Sequence, residues 1–502
     1  MIITPDVQVI LALLIPLVGA AGMALCWSSP NLRETVTLVT AGTLFINTVT
    51  LLQVVLAGGA PEYSLISNLP GLEIAFKIEP LGMIFAMVAS TLWIVNSVYS
   101  IGYMRGNREP KQTRFYICFG IAISAAMGIA FAENLLTLFI FYEVLSLSTY
   151  PLVTHKGNEA ALKGGRIYLG ILLGTSIGFF LPAIIWTWAL TGTTDFTQGG
   201  ILLGHAGPVV TGILLFLFMY GIGKAALMPI HRWLPSAMVA PTPVSALLHA
   251  VAVVKAGVFS VLKVIIYIFG LDILSGNFAT EMLTWIAAFT LIAASTVALT
   301  KDNLKARLAY STISQLAYIV LAASLVTPMA MAGGAMQIVM HAFGKITLFF
   351  VAGAIYTATK KTEISDMRGL GRQMPFTFLA FLIGSLSIIG IPPLGGSWAK
   401  FYIMLGAVEA DQLFVLAVLL ISSLLNIAYL MPIVVRGFFY PPLGKSDPDL
   451  PVGHERSMIT RAGIKEAPLL CVAPPVFTAL GCIVLFFFID PIYQLLLPIL
   501  TP

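Results

Sequence analysis

Seven side chains in this sequence could handle protons inside an otherwise apolar chain: Glu143, Lys224, His249, Lys255, His341, Lys345 and Lys400. Each falls in or beside a stretch long and apolar enough to cross a bilayer. An ammonium near the bilayer centre costs roughly +2.5 to +3.5 kcal/mol even on the lenient insertion scale. Of the 22 carboxylates only Glu143 lies in mid-span, inside FAENLLTLFIFYEVLSLSTYPLV. Lys255 ends the stretch HAVAVVK, close to the middle of the apolar run 243–268. A low dielectric disfavours the charged form of a lysine, so a buried one can release and regain a proton near neutral pH, and a nearby carboxylate reverses that bias. Lysines joined by histidines and water, with a carboxylate beside one of them, therefore make a switchable proton relay.

Each residue also has a blander role. The histidines could be neutral and satisfied by serine or backbone partners, and Glu143 could be a structural counter-ion. An eighth group, Lys263, lies near the end of its span and is expected to snorkel to the outer interface. A single structural ion pair would need only two such groups, and the chain carries several. His341 and Lys345 are four residues apart and share a helix face. His249 and Lys255 are six apart, about 9 Å along an ideal helix and about 120° around it. A one-residue bulge would bring them nearer a common face.

No other chemistry competes. The four cysteines are scattered with no CxxC spacing, so neither a metal nor a cofactor is expected. The stretch GIGK at 221–224 lacks the spacing and the following Ser/Thr of a phosphate loop.

Elements that must position these residues follow from composition. The chain has 502 residues, 58% hydrophobic and 10% charged, against about 25% charged in soluble domains. It reads as an all-α polytopic membrane protein. Fourteen spans are expected, at 7–26, 33–57, 80–100, 115–131, 134–153, 166–190, 208–240, 243–268, 282–300, 307–326, 329–357, 375–409, 412–436 and 468–488, with an interfacial tail at 489–502. The long N-terminal run without a basic n-region reads as the first span and not as a signal peptide. With both termini on the outer side, 21 of the 27 Lys and Arg fall in inner connections, including the loop 437–467, and the outer ones hold only Lys77. That asymmetry supports both count and orientation in a cell inner (plasma) membrane, because one missed span would scramble it. The net charge of +5 thus reflects inner loops rather than nucleic-acid binding.

Two spans are too long for a straight crossing. Residues 208–240 contain MPIHRWLPS and residues 375–409 contain IGIPPLGGSW. Pro229, Pro235, Pro392, Pro393, Gly395 and Gly396 should break them near mid-membrane. Lys224 sits before the first break and Lys400 after the second. The breaks fall in the seventh and twelfth spans, five apart, so units of spans four to eight and nine to thirteen would be inverted copies. The expected division is 1–114, 115–268, 282–436 and 437–502.

These residues closely resemble the antiporter-like subunits of respiratory complex I and of multisubunit cation/proton antiporters, the Mrp D-type subunit foremost. The matching stretches include GKAALMPIHRWLPSAMVAPTPVSALLHAVAVVKAG, KDNLKARLAYSTISQLAYIV, MHAFGKITLFFVAGAIY and GIPPLGGSWAKFYI. The resemblance implies fourteen helices with two inverted five-helix repeats. It puts the family's carboxylate on Glu143, its paired lysine on Lys224, the central lysine on Lys255 after His249, the helix-eleven histidine on His341 before Lys345, and the terminal residue on Lys400. It further implies other hydrophobic membrane subunits as partners, with protons and possibly sodium as the ions moved and no redox chemistry in this chain. The leading expectation is a proton-translocating subunit of a sodium/proton antiporter. A pump subunit of a redox-driven complex is the second. A stand-alone solute transporter is the third, disfavoured because the breaks carry lysines and small residues in place of a shaped solute site.

Overall fold

A computed structural model describes residues 4–66, 73–441 and 463–500, without the side chains of Leu248 and His249. The expected positions of Lys445, Arg456 and Arg461, and most of the basic loop 437–467, lie outside the described residues. Ten described helices are long and apolar enough to cross a membrane. They are the expected spans one to six, nine, eleven, thirteen and fourteen, for example Pro5–Leu25, Leu135–Val153 and Leu469–Phe487. The remaining four expected spans are also present, three of them broken or irregular, and those three carry Lys224, Lys255, Lys263 and Lys400.

The seventh is a helix at Pro208–Gly221 followed by short turns at Gly223–Ala225, Ile230–Arg232, Trp233–Ser236 and Ala237–Val239. Here the expectation needs correcting. The helix stops before Lys224, so that lysine lies in the break and not ahead of it. The break opens at Ile222, where the helix ends, and continues through the left-handed Ala226 (φ 58°) and Pro229; Pro235 sits within a one-turn helix. The twelfth divides as expected, into Pro375–Ile389 and Gly396–Glu409. Gly390 at φ +90 ends the first half, Pro392 and Pro393 prevent its continuation, and Gly395 and Gly396 start the second.

The eighth is continuous but irregular. It begins at Thr242–Ala246, passes through a π-turn at Leu247–Val251, continues as Val253–Val264 and ends in a second π-turn at Ile265–Phe269. The bulge considered for HAVAVVK is therefore present in the backbone, with Ala252 N–H bonded to Leu247 O at 3.0 Å. The tenth, Leu304–Ser324, is regular but carries Ser311, Thr312, Ser314, Gln315 and Tyr318 on buried positions.

The eleventh span, Pro328–Thr359, is the central post. It packs against spans three, eight and ten, both halves of twelve, and fourteen. Helices five and six and the seventh-span turns gather on one side of it with span eight; spans nine, ten, twelve and thirteen gather on the other. Connections expected on the inner side do meet at one end: Arg105 bonds Glu34, Asn107 bonds Lys360, Arg114 donates to His155 O, and Asn303 donates to Glu363. At the opposite end an unforeseen antiparallel hairpin pairs Glu62–Ile66 with Ile74–Lys77. The tail forms a helix, Ile489–Leu500, packed on spans three and eleven.

Candidate functional site

Lys224 is held by span five. Its ammonium donates to Tyr142 O at 2.8 Å and Ser146 Oγ at 2.7 Å, and stands 3.0 Å from the centroid of the Tyr142 ring. Its backbone N–H donates to the Tyr142 hydroxyl at 3.0 Å. Helix geometry explains the arrangement, because Tyr142 and Ser146 lie one turn apart on one face. Glu143 is the adjacent residue on that helix. Both of its carboxylate oxygens are buried without a hydrogen-bond partner among the described residues, and none of the described ion pairs includes it. The sequence named Glu143 and Lys224 as a pair, but the ammonium is held instead by a cage of Tyr142 and Ser146 that it did not reveal.

Span eight passes directly over this turn. A Cβ on Gly257 would meet Lys224 C at 2.4 Å and Ala225 N at 2.5 Å, so only glycine permits the approach. Two residues earlier, Lys255 is fully buried and its Nζ lies 2.5 Å from His341 Nδ1 on span eleven. His249 shares the π-turn, but its side chain lies outside the described residues. The Lys255–His341 contact joins the two sides of the bundle.

His341 and Lys345 then diverge. His341 reaches Lys255, while Lys345 donates to Ser311 Oγ on span ten at 2.7 Å. Lys400 is 6% exposed. Its ammonium turns back to the carbonyl of Ile389, the last residue of the preceding half-helix, at 2.8 Å, and contacts Ser423 Oγ at 3.2 Å. A helix C-terminus favours a cation there. The Tyr318 ring lies beneath it, 4.7 Å from Nζ. Gln337 donates to Gln315 at 2.8 Å nearby on spans eleven and ten. These hydroxyls and amides were missed in the sequence. Their one signal was a tenth span unusually rich in buried polar residues.

Lys263 departs from expectation. It does not snorkel: it is 1% exposed, pairs with Glu79 at 2.8 Å, donates to Ala132 O at 2.6 Å and lies 4.4 Å from the Phe196 ring. The carboxylate that Glu79 brings to the start of span three made burial cheaper than extension to the surface.

Comparison with known proteins fits this geometry. Residues 132–426 match the family model described as NADH:quinone oxidoreductase/Mrp antiporter, TM, and residues 67–116 match the N-terminal model of complex I chain 5. The chain is 29% identical over 495 residues, 96% of each chain, to the NADH-quinone oxidoreductase subunit N of Desulforudis audaxviator. It is 32% identical over 360 residues to the NAD(P)H-quinone oxidoreductase chain 5 of a Synechocystis strain, covering 68% of this chain and 51% of that one. The chain thus spans about half the length of the chain 5 relatives it matches. Solved structures with the same fold include a chain of the Mrp complex of a Dietzia strain (TM-score 0.84, 20% identity, covering 98% and 96% of the two chains) and one of an archaeal membrane-bound sulfane sulfur reductase (TM-score 0.83, 23% identity, 97% and 96%). The chain belongs to the NADH:quinone oxidoreductase/Mrp antiporter family of multi-pass membrane subunits.

Proposed function

We propose that this chain is the proton-translocating subunit of a multisubunit monovalent cation (sodium)/proton antiporter. Protons move through Glu143, Lys224, His249, Lys255, His341, Lys345 and Lys400 at mid-membrane, and other hydrophobic membrane subunits complete the complex. The observation that carries this reading is the Lys255–His341 contact, because it joins the buried lysine of span eight to the central span eleven in the middle of the bundle, between the two broken spans. The units are residues 115–268 and 282–436, flanked by 1–114 and 437–502, with both termini on the outer face of the plasma membrane.

A second reading has its own support. The relative aligned over nearly all of both chains is a complex I subunit N, and one solved neighbour belongs to an archaeal respiratory complex. In that reading the same relay is driven by redox chemistry in partner subunits. Purification of the native complex separates the two: subunits bearing iron–sulfur clusters would remove the antiporter reading, and small hydrophobic partners alone would remove the redox one. Within either complex, Glu143→Gln and Lys224→Ala are expected to abolish ion-coupled proton transport while assembly persists. Wild-type transport in an assembled Lys224→Ala complex would take that lysine out of the mechanism.

A further inference from the structure

Between Lys345 and Lys400 no direct contact is described, and the structure offers hydrogen-bonded groups reaching in from both lysines on a span to which the sequence assigns no role. Lys345 Nζ donates to Ser311 Oγ at 2.7 Å, Ser311 Oγ lies 2.8 Å from the Tyr429 hydroxyl, and that hydroxyl donates to Asn426 Oδ1 at 2.5 Å. Ser311, Tyr429 and Asn426 are fully buried. Along Leu413–Phe439, Asn426 lies three residues from Tyr429, and Ser423 and Ser422 lie three and four residues from Asn426, so they form one stripe facing the bundle. Ser423 Oγ accepts from the Lys400 ammonium at 3.2 Å, at the far end of the stripe. Tyr429 to Ser423 is about 9 Å along the helix at 1.5 Å per residue.

We propose that the proton step from Lys345 to Lys400 runs through span thirteen, with the Tyr429 hydroxyl as its carrier; this rests on the proton-translocating reading above. Because the Lys345 donor and the Tyr429-to-Asn426 bond fix the sense of the chain, each hydroxyl accepts from the Lys345 side and donates toward Asn426. The step changes only N–H and O–H bonds. Lys345 gives one N–H proton to Ser311, Ser311 passes its own to Tyr429, Tyr429 turns its hydroxyl from Asn426 and gives its own to a water, the water passes one to Ser423, and Ser423 gives its own to Lys400. Lys345 becomes neutral, and a neutral Lys400 amine takes up a proton.

The amide of Asn426 is a poor proton carrier. Its role is to orient the Tyr429 hydroxyl. The transfer past it suits a water between Tyr429 and Ser423, and the polar atoms there fit one: Asn426 Nδ2 and Ser422 Oγ are both buried without a protein partner among the described residues. In the order of spans, thirteen ends the second unit as eight ends the first. Span eight carries Lys255 at that place. Span thirteen carries neutral hydroxyls and an amide, which add no third buried charge beside Lys345 and Lys400.

The test uses the assembled complex, with all partner subunits, in sealed vesicles holding a pH-sensitive dye. Tyr429→Phe removes one oxygen and keeps the ring packing. It is expected to slow proton transport by roughly a hundredfold, the scale of a positioned proton-transfer group. Ser311→Ala should do the same, and Ser311→Thr, which keeps the hydroxyl, should retain most of the wild-type rate; a purely structural serine would not discriminate in that direction. Wild-type transport by Tyr429→Phe overturns the proposal. If that variant fails to assemble, equal rates for Ser311→Ala and Ser311→Thr overturn it instead. Loss of transport in Glu143→Gln with retention in Tyr429→Phe removes only the span-thirteen path. A wild-type complex that moves no protons removes this path and the proton-translocating reading together.

Discussion

At the scale of residues, the buried lysines are anchored in different ways, and the differences set what each can do. Lys224 rests on a carbonyl, a hydroxyl and an aromatic face of span five. Lys255 meets an imidazole, and Lys400 meets the open end of a half-helix. Among the described residues none of these three forms an ion pair with a carboxylate, in contrast to Lys263 and Glu79 at 2.8 Å. The proposed relay requires this, since a lysine locked to a carboxylate holds its proton. Lys400→Arg is expected to keep the contact with Ile389 O but to lose transport, because a guanidinium does not deprotonate. Dye-monitored proton uptake in vesicles of the assembled complex checks this, and wild-type rates would exclude deprotonation at that position. Lys263→Met should instead behave as a packing change, lowering the yield of assembled complex more than the transport rate per complex.

At the scale of elements, what the sequence revealed and what it hid have distinct causes. Breaks in spans seven and twelve were legible because proline and glycine act locally on the backbone. The exact stop at Gly221 was not, since no proline marks it: the chain leaves the helix so that Lys224 can sit beneath span eight. Gly257 looked like an ordinary small residue in HAVAVVKAG, and only the contact with the Lys224 turn explains it. Gly257→Ala is expected to destabilise the chain by about 1–3 kcal/mol through overpacking. It should also slow transport by up to about a hundredfold with every charged residue intact, as ångström-scale misplacement does. Thermal melts and vesicle assays of the purified complex measure the two effects. The lysines themselves were legible because burying a charge in an apolar run leaves a mark in composition. Their hydroxyl partners Ser146, Ser311 and Tyr429 leave almost none, because serine and tyrosine are common in membrane helices.

At the scale of the whole molecule, one end of the bundle carries a histidine whose burial ties stability to pH. His155 follows span five at the end where Arg105, Asn107 and Lys360 meet. It is buried against Phe115, and burial together with the Arg114 guanidinium holds its imidazole down from the usual 6.5 to about 4. A depressed folded value means that folding favours the neutral ring. The associated stability is fully present above about pH 6.5, is lost progressively as pH falls through the interval to about 4, and is gone below it. The melting temperature of the assembled complex is expected to drop over that window, and His155→Gln should flatten the drop. An unchanged profile in His155→Gln would assign the acid sensitivity to other groups.

The π-turn at Leu247–Val251 has a consequence of a different kind. It stores one surplus residue in span eight, upstream of Lys255. Removing that residue would not shorten the membrane crossing appreciably, yet it would rewind the upstream half relative to the downstream half by about 100°. Every substitution in this span leaves that phase alone. A single-codon deletion around Ala252 changes nothing else in composition, charge or hydrophobicity. The two ends of the helix would then compete to keep their neighbours, Pro243 against span three or Lys255 against His341. The number of residues between these two anchors thus sets the phase of Lys255 relative to Pro243, a quantity carried by length and not by any one side chain.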